Sequence, residues 1–490
     1  MSLTRPQLIL VLGIAAIYFA GQLLTGTDAV VSSLFTAAIL FGSLSVFAGG
    51  GLQSAFGFLN AVLIGKFLLF AIAVKFLLLE PADGTLKSPL ATASVMAIGF
   101  FGLFLGTIIA ANLPCPKSWS MNRHYSDRMF LALSIVMFVV GYVAYFVALV
   151  PETQGLGFVT GGWMGIARTF SILKGLSIVP AMLYLWRTKS RRWMTHPFIL
   201  VMLTWSTIIG VYSHSKLEMM EPIAFYALTG VLRYGWRDVR LWSLASIGVC
   251  CYALIVYPYS QYIRRNGDLE GTFTERAEVT KDLFWRTASD SEFRSAIRQS
   301  SSKVEPFYFT QGELVPFSRL AMVGEADKLI SATLRQQAFT GWTTIIWGFE
   351  FLTPRFLYPD KPGVESDNYL GHIAGDIKDP HDQLTEMAYG IMANFYNAFS
   401  LSGVLIGTTL FFALFYFWMR MFVGVPMWEC APTTSALLFL FLVGLCQHHI
   451  VESSFSGNIV LMVYLPGLVL VFGILATWLC PFLRQRGSPA

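Results

Sequence analysis

The chain has 490 residues, 55% hydrophobic, 15% aromatic and only 13% charged, with a formal net charge of +5 at pH 7. That charged share is about half of what a soluble globular domain carries, which excludes an ordinary soluble globule and points to a polytopic membrane protein. Much of the basic excess sits in short loops, where membrane orientation accounts for it, and no nucleic-acid signature accompanies it.

A spanning helix needs about 20 mostly apolar residues. Apolar runs of that kind occur near 7–24, 28–48, 56–79, 89–113, 128–150, 167–186, 197–213, 220–234, 241–259, 398–418, 433–451 and 459–480, which predicts about twelve spans. Arg5 precedes the first run and no convincing small-residue cleavage site follows it, so a retained first span is expected rather than a signal peptide. Lys and Arg crowd one set of alternate loops, among them Arg5, Lys117, Arg123, Arg187, Arg191, Arg237, Arg420 and Arg484. The opposite short loops hold Lys87, Arg168 and Lys216. By the positive-inside rule both termini are expected in the cytoplasm and residues 260–397 outside the cytoplasmic membrane. The expected organisation is nine spans over 1–259, one large, mostly helical outer loop over 260–397 and three spans over 398–490. The six cysteines lie in or near apolar runs and form neither a disulfide framework nor a zinc spacing.

Acidic residues outnumber basic ones in the outer loop, so it is not a polybasic membrane-binding tail. Residues 273–299 and 313–337 mix charge with apolar positions at helical spacing, predicting at least two helices. The aromatic-rich stretch 340–356 suits a half-buried helix at a membrane interface. Within FLTPRFLYPDKPG, from Phe351 to Gly363, Pro354, Pro359 and Pro362 exclude a continuous helix and hold Arg355 and Lys361 in a rigid frame suited to an anionic lipid headgroup. A Gly- and Asp-bearing stretch follows to Pro380, and a helix from His381 is expected to feed the tenth span. No internal repeat or low-complexity tract is visible.

Ionisable groups at membrane depth cost about 2.5 to 3.5 kcal/mol on insertion and need a reason. Lys66, Lys75 and Lys174 are of this kind. Snorkelling is the ordinary explanation for Lys75, Lys174 and Arg168 fall where an outer-leaflet cavity could take them, and Lys66 is too deep to reach water without one. The short outer tip VYSHSKLEMMEP places His214 and Lys216 near the surface, where Lys216 either meets a phosphate or pairs with Glu218. Arg319 and Arg335 share a predicted helix, where an exposed salt bridge is the bland alternative to phosphate binding by the guanidinium fork. His372, His381, His448 and His449 cluster toward the outer face, the last two just before Glu452. A histidine is a natural general base for a hydroxyl proton, and Asp376, Asp379, Asp382 and Glu386 offer carboxylate alternatives. The spacing matches no metal motif.

Arg319, the following GWTTIIWGFEF, then TPRFLYPDKP, then Asn368 with Gly371 and Gly375, then NFYNAFSLSGVLIG resemble in order the bacterial oligosaccharide repeat-unit polymerases, the Wzy-type O-antigen polymerase family. The likeness covers about 90 residues, from Arg319 to Gly407, and SHSK at 213–216 looks like a second short motif of that family, with Lys216 where many relatives carry Arg.

The resemblance implies a GT-C-like helical membrane architecture in a bacterial inner membrane, with the large loop in the periplasm closing over an outer-leaflet cavity. It implies polyprenyl-diphosphate-linked oligosaccharides as donor and acceptor, the lipid bilayer as surroundings, and a chain-length regulator and a flippase as companion proteins. On this reading Arg319, Arg355, Lys361, Lys216, Arg168 and Lys174 bind the diphosphate, and His381, His372 or His448 is the base. No cofactor or divalent metal is required. Rival expectations are an O-antigen ligase acting on lipid A core, which differs in its acceptor, a lipid-linked oligosaccharide flippase or other transporter, and a non-catalytic assembly protein.

Overall fold

The computed structural model describes residues 4–52, 54–114, 127–153, 167, 170–188, 196–212, 219, 222–223, 225–227, 239–266, 273–302, 308–310, 317, 320–353, 358, 366–382, 387–423, 452–459 and 462–463. Among them every regular element is helical and there is no strand. Six described helices are long and apolar enough to cross a membrane: Arg5–Leu24, Ala29–Ala48, Phe56–Leu77, Pro89–Asn112, Arg128–Val147 and Ile391–Arg420. The shorter apolar helices Leu173–Leu185, Pro197–Val211 and Ser246–Ser260 fall on three more of the expected spans. The runs at 220–234, 433–451 and 459–480 lie wholly or largely outside the described residues. The chain divides into two compact units, and the boundary between Glu305 and Pro306 falls inside the expected outer loop.

The first unit holds residues 1–121, 306–430 and 445–468. Its helices begin where local chemistry dictates. Asp28 Oδ1 accepts from the Val30 and Val31 amides at 2.9 and 3.1 Å to cap Ala29–Ala48, and Ser54 Oγ accepts from Gly57 N at 3.0 Å to cap Ala55–Ile64. Gly99, Gly102 and Gly106 give the Pro89–Asn112 helix a small-residue face against Met392, Thr408 and Ala413, so the backbones approach closely. The buried Asn60 amide is satisfied within the apolar bundle, donating to Ser45 O and Thr107 Oγ1 at 2.8 and 3.1 Å and accepting from Tyr416.

The long helix Ile391–Val423 is two helices joined across Phe399 and Ser400, the latter at φ 59° and ψ −153°. Along a continuous helix Phe395 and Gly407 would stand about 18 Å apart, yet the Phe395 ring packs against Gly407 so closely that a Cβ there would collide with it. The chain therefore reverses, and the short helix from Ile391 folds back along the span that follows. Met392 reaches Gly99, about 15 Å into the Pro89–Asn112 helix from its Pro89 end. Breaking the helix frees two carbonyls, which accept from a segment far earlier in the chain: Thr340 N donates to Asn397 O at 3.0 Å and Gly341 N to Ala398 O at 3.2 Å.

Three expectations change here. Residues 381, 382 and 387–390 are not helical, and the helix into the tenth span starts at Ile391. The helix expected over 313–337 is Met322–Gln336, which Arg319 precedes, so Arg319 and Arg335 do not share it. The stretch 363–380 contains a helix, Ser366–Ala374, ended by Gly375 at φ 79°, whose amide returns to Gly371 O at 3.1 Å. The aromatic stretch forms the two-turn helix Thr343–Glu350, with Trp342 and Phe349 exposed.

The second unit, residues 122–305, 431–444 and 469–490, packs Asp127–Thr153 against Ile178–Arg187 and Pro197–Tyr212. Tyr142 donates to Ser206 Oγ at 2.7 Å and Ser134 to Ser177 O at 2.8 Å. Phe273–Ser289 and Ser291–Ser302 together occupy the stretch 273–299 where spacing predicts helix, and they meet at Asp290, which caps the second through Glu292 N and Phe293 N at 2.9 and 3.0 Å. Tyr259 anchors the first of them by an edge contact with Phe284.

Candidate functional site

Lys66 lies at the middle of the Phe56–Leu77 span, on a π-turn, Gly65–Leu69, and its ammonium forms an ion pair with Glu452. The two side chains keep 13% and 8% of their exposure. Glu452 follows the expected eleventh span, which lies outside the described residues, and its carboxylate meets the middle of the third.

The chain around Glu452 is pinned by main-chain bonds. Gly390 N donates to Glu452 O at 3.0 Å, Ser454 N to Asp367 Oδ1 at 3.0 Å and Phe455 N to Asn394 Oδ1 at 3.2 Å. The buried hydroxyls of Ser366, Ser454 and Ser456 meet one another, with Ser366 and Ser454 2.6 Å apart. Asn458 Nδ2 donates to Ser454 O at 2.9 Å. Gly348 presses on the Phe455 ring with no room for a Cβ. Thus the third span, the helix at Ser366, the folded-back helix at Ile391 and the 452–458 segment close on one polar floor inside the apolar bundle.

His372 borders this floor. Its Nε2 lies 3.0 Å from Asp382 O, to which only an N–H can donate, so in the neutral ring Nδ1 carries the free lone pair. Asn368 Nδ2 donates to the same carbonyl at 3.1 Å. His381 is exposed in a turn, its amide donating to Asp379 Oδ1 at 2.9 Å. Of the base candidates, His372 and His381 therefore belong to one loop cluster around 379–382, and His448 lies outside the described residues. Tyr389 donates to Asp376 Oδ2 at 2.8 Å, and Lys328 reaches Glu325 at 3.0 Å and Asp376 at 3.8 Å.

Of the cations read from sequence, Arg319, Arg355, Lys361, Lys216 and Arg168 lie outside the described residues. Lys174 is half-buried, with its ammonium 4.4 Å from the centre of the Tyr145 ring. Snorkelling fails for Lys75, which is 1% exposed, 2.7 Å from Glu80 Oε2 and 5.1 Å from the centre of the Tyr308 ring. Thr310 hydrogen-bonds the other Glu80 oxygen. Burial raises the Glu80 carboxyl, but the Lys75 hydrogen bond and charge and the Thr310 contact outweigh it, leaving its pKa below the usual 4.5.

The sequence reading assigns no role to Asp367, Ser366, Ser454, Ser456 or Glu452. The available signal was a carboxylate followed by a run of small polar residues, ESSFSGN, between two apolar segments. Among the described residues no three His, Cys, Asp or Glu side chains gather as metal ligands would. Comparison of the chain with models of protein families, with curated proteins and with solved structures found no match.

Proposed function

We propose that the chain is an inner-membrane glycosyltransferase that polymerises polyprenyl-diphosphate-linked oligosaccharide repeat units at the periplasmic face. The observation that carries this reading is the interlocking of the stretches that bear the family resemblance. Asn394, in NFYNAFS, places Nδ2 3.5 Å from Thr344 Oγ1 of GWTTIIWGFEF and accepts from Phe455 N at 3.2 Å, while Trp347 of that second stretch meets the ring of Tyr369, beside Asn368, at a centroid distance of 5.2 Å, tying three of those stretches to the polar floor.

In the proposed reaction an acceptor sugar hydroxyl attacks the donor's anomeric carbon. The bond from that carbon to the diphosphate oxygen breaks, and the diphosphate leaves with the electron pair. The hydroxyl proton passes to a base, for which His372, through Nδ1, His381 and His448 are the candidates, and the configuration inverts. Arg319, Arg355, Lys361 and Lys216, with Arg168 and Lys174, are assigned to the charge that develops on the diphosphate. The scheme needs no divalent metal.

One observation favours a second reading. A broken helix and an ion pair at mid-span are features by which transporters build substrate sites. Reconstitution of the purified chain with polyprenyl-diphosphate oligosaccharide separates the two: polymerisation yields longer lipid-linked glycan, and transbilayer movement without elongation defeats the glycosyltransferase reading. Activity should survive EDTA. Arg355→Ala and Lys361→Ala should each lower the rate about 100-fold, the usual scale for losing one contact to developing charge, and full activity in both would misplace the diphosphate.

A further inference from the structure

Packing does not explain the Lys66–Glu452 pair. Buried ion pairs are often matched in stability by apolar side chains of similar volume, and a π-turn in a helix is a common mark of a functional position. Nor does Glu452 need its carboxylate to stay in place. The Gly390, Ser454 and Phe455 amides hold the segment by its main chain and by Asp367 and Asn394. The carboxylate can therefore turn away from Lys66 without disturbing the backbone. Both side chains retain slight exposure. The folded-back helix begins at Ile391, one residue after the Gly390 amide that holds the Glu452 carbonyl.

We propose that Lys66 is an anion-binding residue and that the Glu452 carboxylate is a tethered competitor, which a phosphate group displaces from the ammonium. The anion site rests on the pair and its clamps. The choice of a polyprenyl diphosphate as occupant rests on the function proposed above, and it gives that substrate a cation deep in the bundle in addition to those of the outer loop.

The test uses the full chain in lipid nanodiscs, with undecaprenyl diphosphate and inorganic pyrophosphate as probes and binding read by titration. Glu452→Gln removes the competing charge but keeps every main-chain clamp. If the pair excludes the ligand about nine-tenths of the time, this variant binds about tenfold more tightly. The double variant Lys66→Met with Glu452→Gln removes both charges at similar volume and should bind at least about tenfold more weakly than wild type, a loss of one strong anion contact. Lys66→Arg should stay close to wild type. Glu452→Gln that binds no tighter than wild type overturns the proposal, whether or not the double variant folds, as does a folded double variant with wild-type affinity. Parallel shifts for both probes identify phosphate as the recognised group, and shifts confined to the lipid probe identify the lipid-linked form; either outcome supports Lys66 as its ligand. Should the binding pattern hold while no glycan is elongated, the anion site stands and the polymerase reading falls.

Discussion

Lys75 and Glu80 stand five positions apart, yet no helical spacing would pair them. The helix Phe70–Leu77 ends in a turn at Leu79, φ 55°, which brings Glu80 N back to Lys75 O at 2.9 Å and folds the carboxylate over the ammonium. A leucine in a left-handed conformation carries no sequence signal, so the expected snorkelling of Lys75 gave way to a sealed pair under Tyr308. Removing one partner strands a buried charge, and Glu80→Gln should cost about 3 kcal/mol. The sign of its pH dependence follows from the lowered carboxyl pKa. Its stabilisation is complete above the usual 4.5 and is lost as pH falls through the lower folded value. Unfolding of the detergent-solubilised chain, followed from neutral pH downward, should therefore show a steeper acid loss in wild type than in Glu80→Gln. Equal acid limbs would mean that the pair contributes nothing.

The break at Phe399 and Ser400 was equally hidden, because NFYNAFSLSGVLIG has helical spacing, no proline and no glycine at the break. What ends the first helix is distant in sequence: the Thr340 and Gly341 amides take the Asn397 and Ala398 carbonyls, and the Asn397 amide takes Thr333 and Ala338. Glycine would adopt the Ser400 backbone without strain, whereas an ordinary L-residue there costs of order 1–3 kcal/mol. Ser400→Gly should thus raise the unfolding free energy by about 1 kcal/mol. Gly403 is the opposite case, since a Cβ there would strike the Phe395 carbonyl and the Phe399 side chain, and Gly403→Ala should cost about 1–3 kcal/mol. Thermal unfolding of the two variants checks both; stabilisation by Gly403→Ala would mean that the helix pair is not folded back so tightly.

Long apolar runs and regular charge spacing were legible along the chain, which is why the six described spans fall where composition puts them and helices occupy the stretches 273–299 and 313–337. The polar floor was not legible, because it joins residues as far apart as Lys66 and Glu452, 386 positions, and no local pattern encodes such a meeting. The same long-range fastening bears on orientation. Asp327 accepts from Lys87 N and Ser88 N at 2.6 and 3.0 Å and from Thr92 Oγ1 at 2.6 Å, binding the Met322–Gln336 helix to the first turn of Pro89–Asn112. At the other end of that span Arg420 donates to Leu113 O at 3.0 Å, a cation on the helix's negative pole. The positive-inside rule predicts the Arg420 end in the cytoplasm and the Asp327 end, with what it fastens, on the opposite side. A chain freed of its own cysteines and carrying either Lys87→Cys or Asn112→Cys, both at exposed positions, makes this measurable. An impermeant maleimide should label the first in cells whose outer membrane alone is opened, and the second only after the inner membrane is breached. The reverse pattern would place the Met322–Gln336 helix and the polar floor's loop on the cytoplasmic side, where a periplasmic polymerase could not use them.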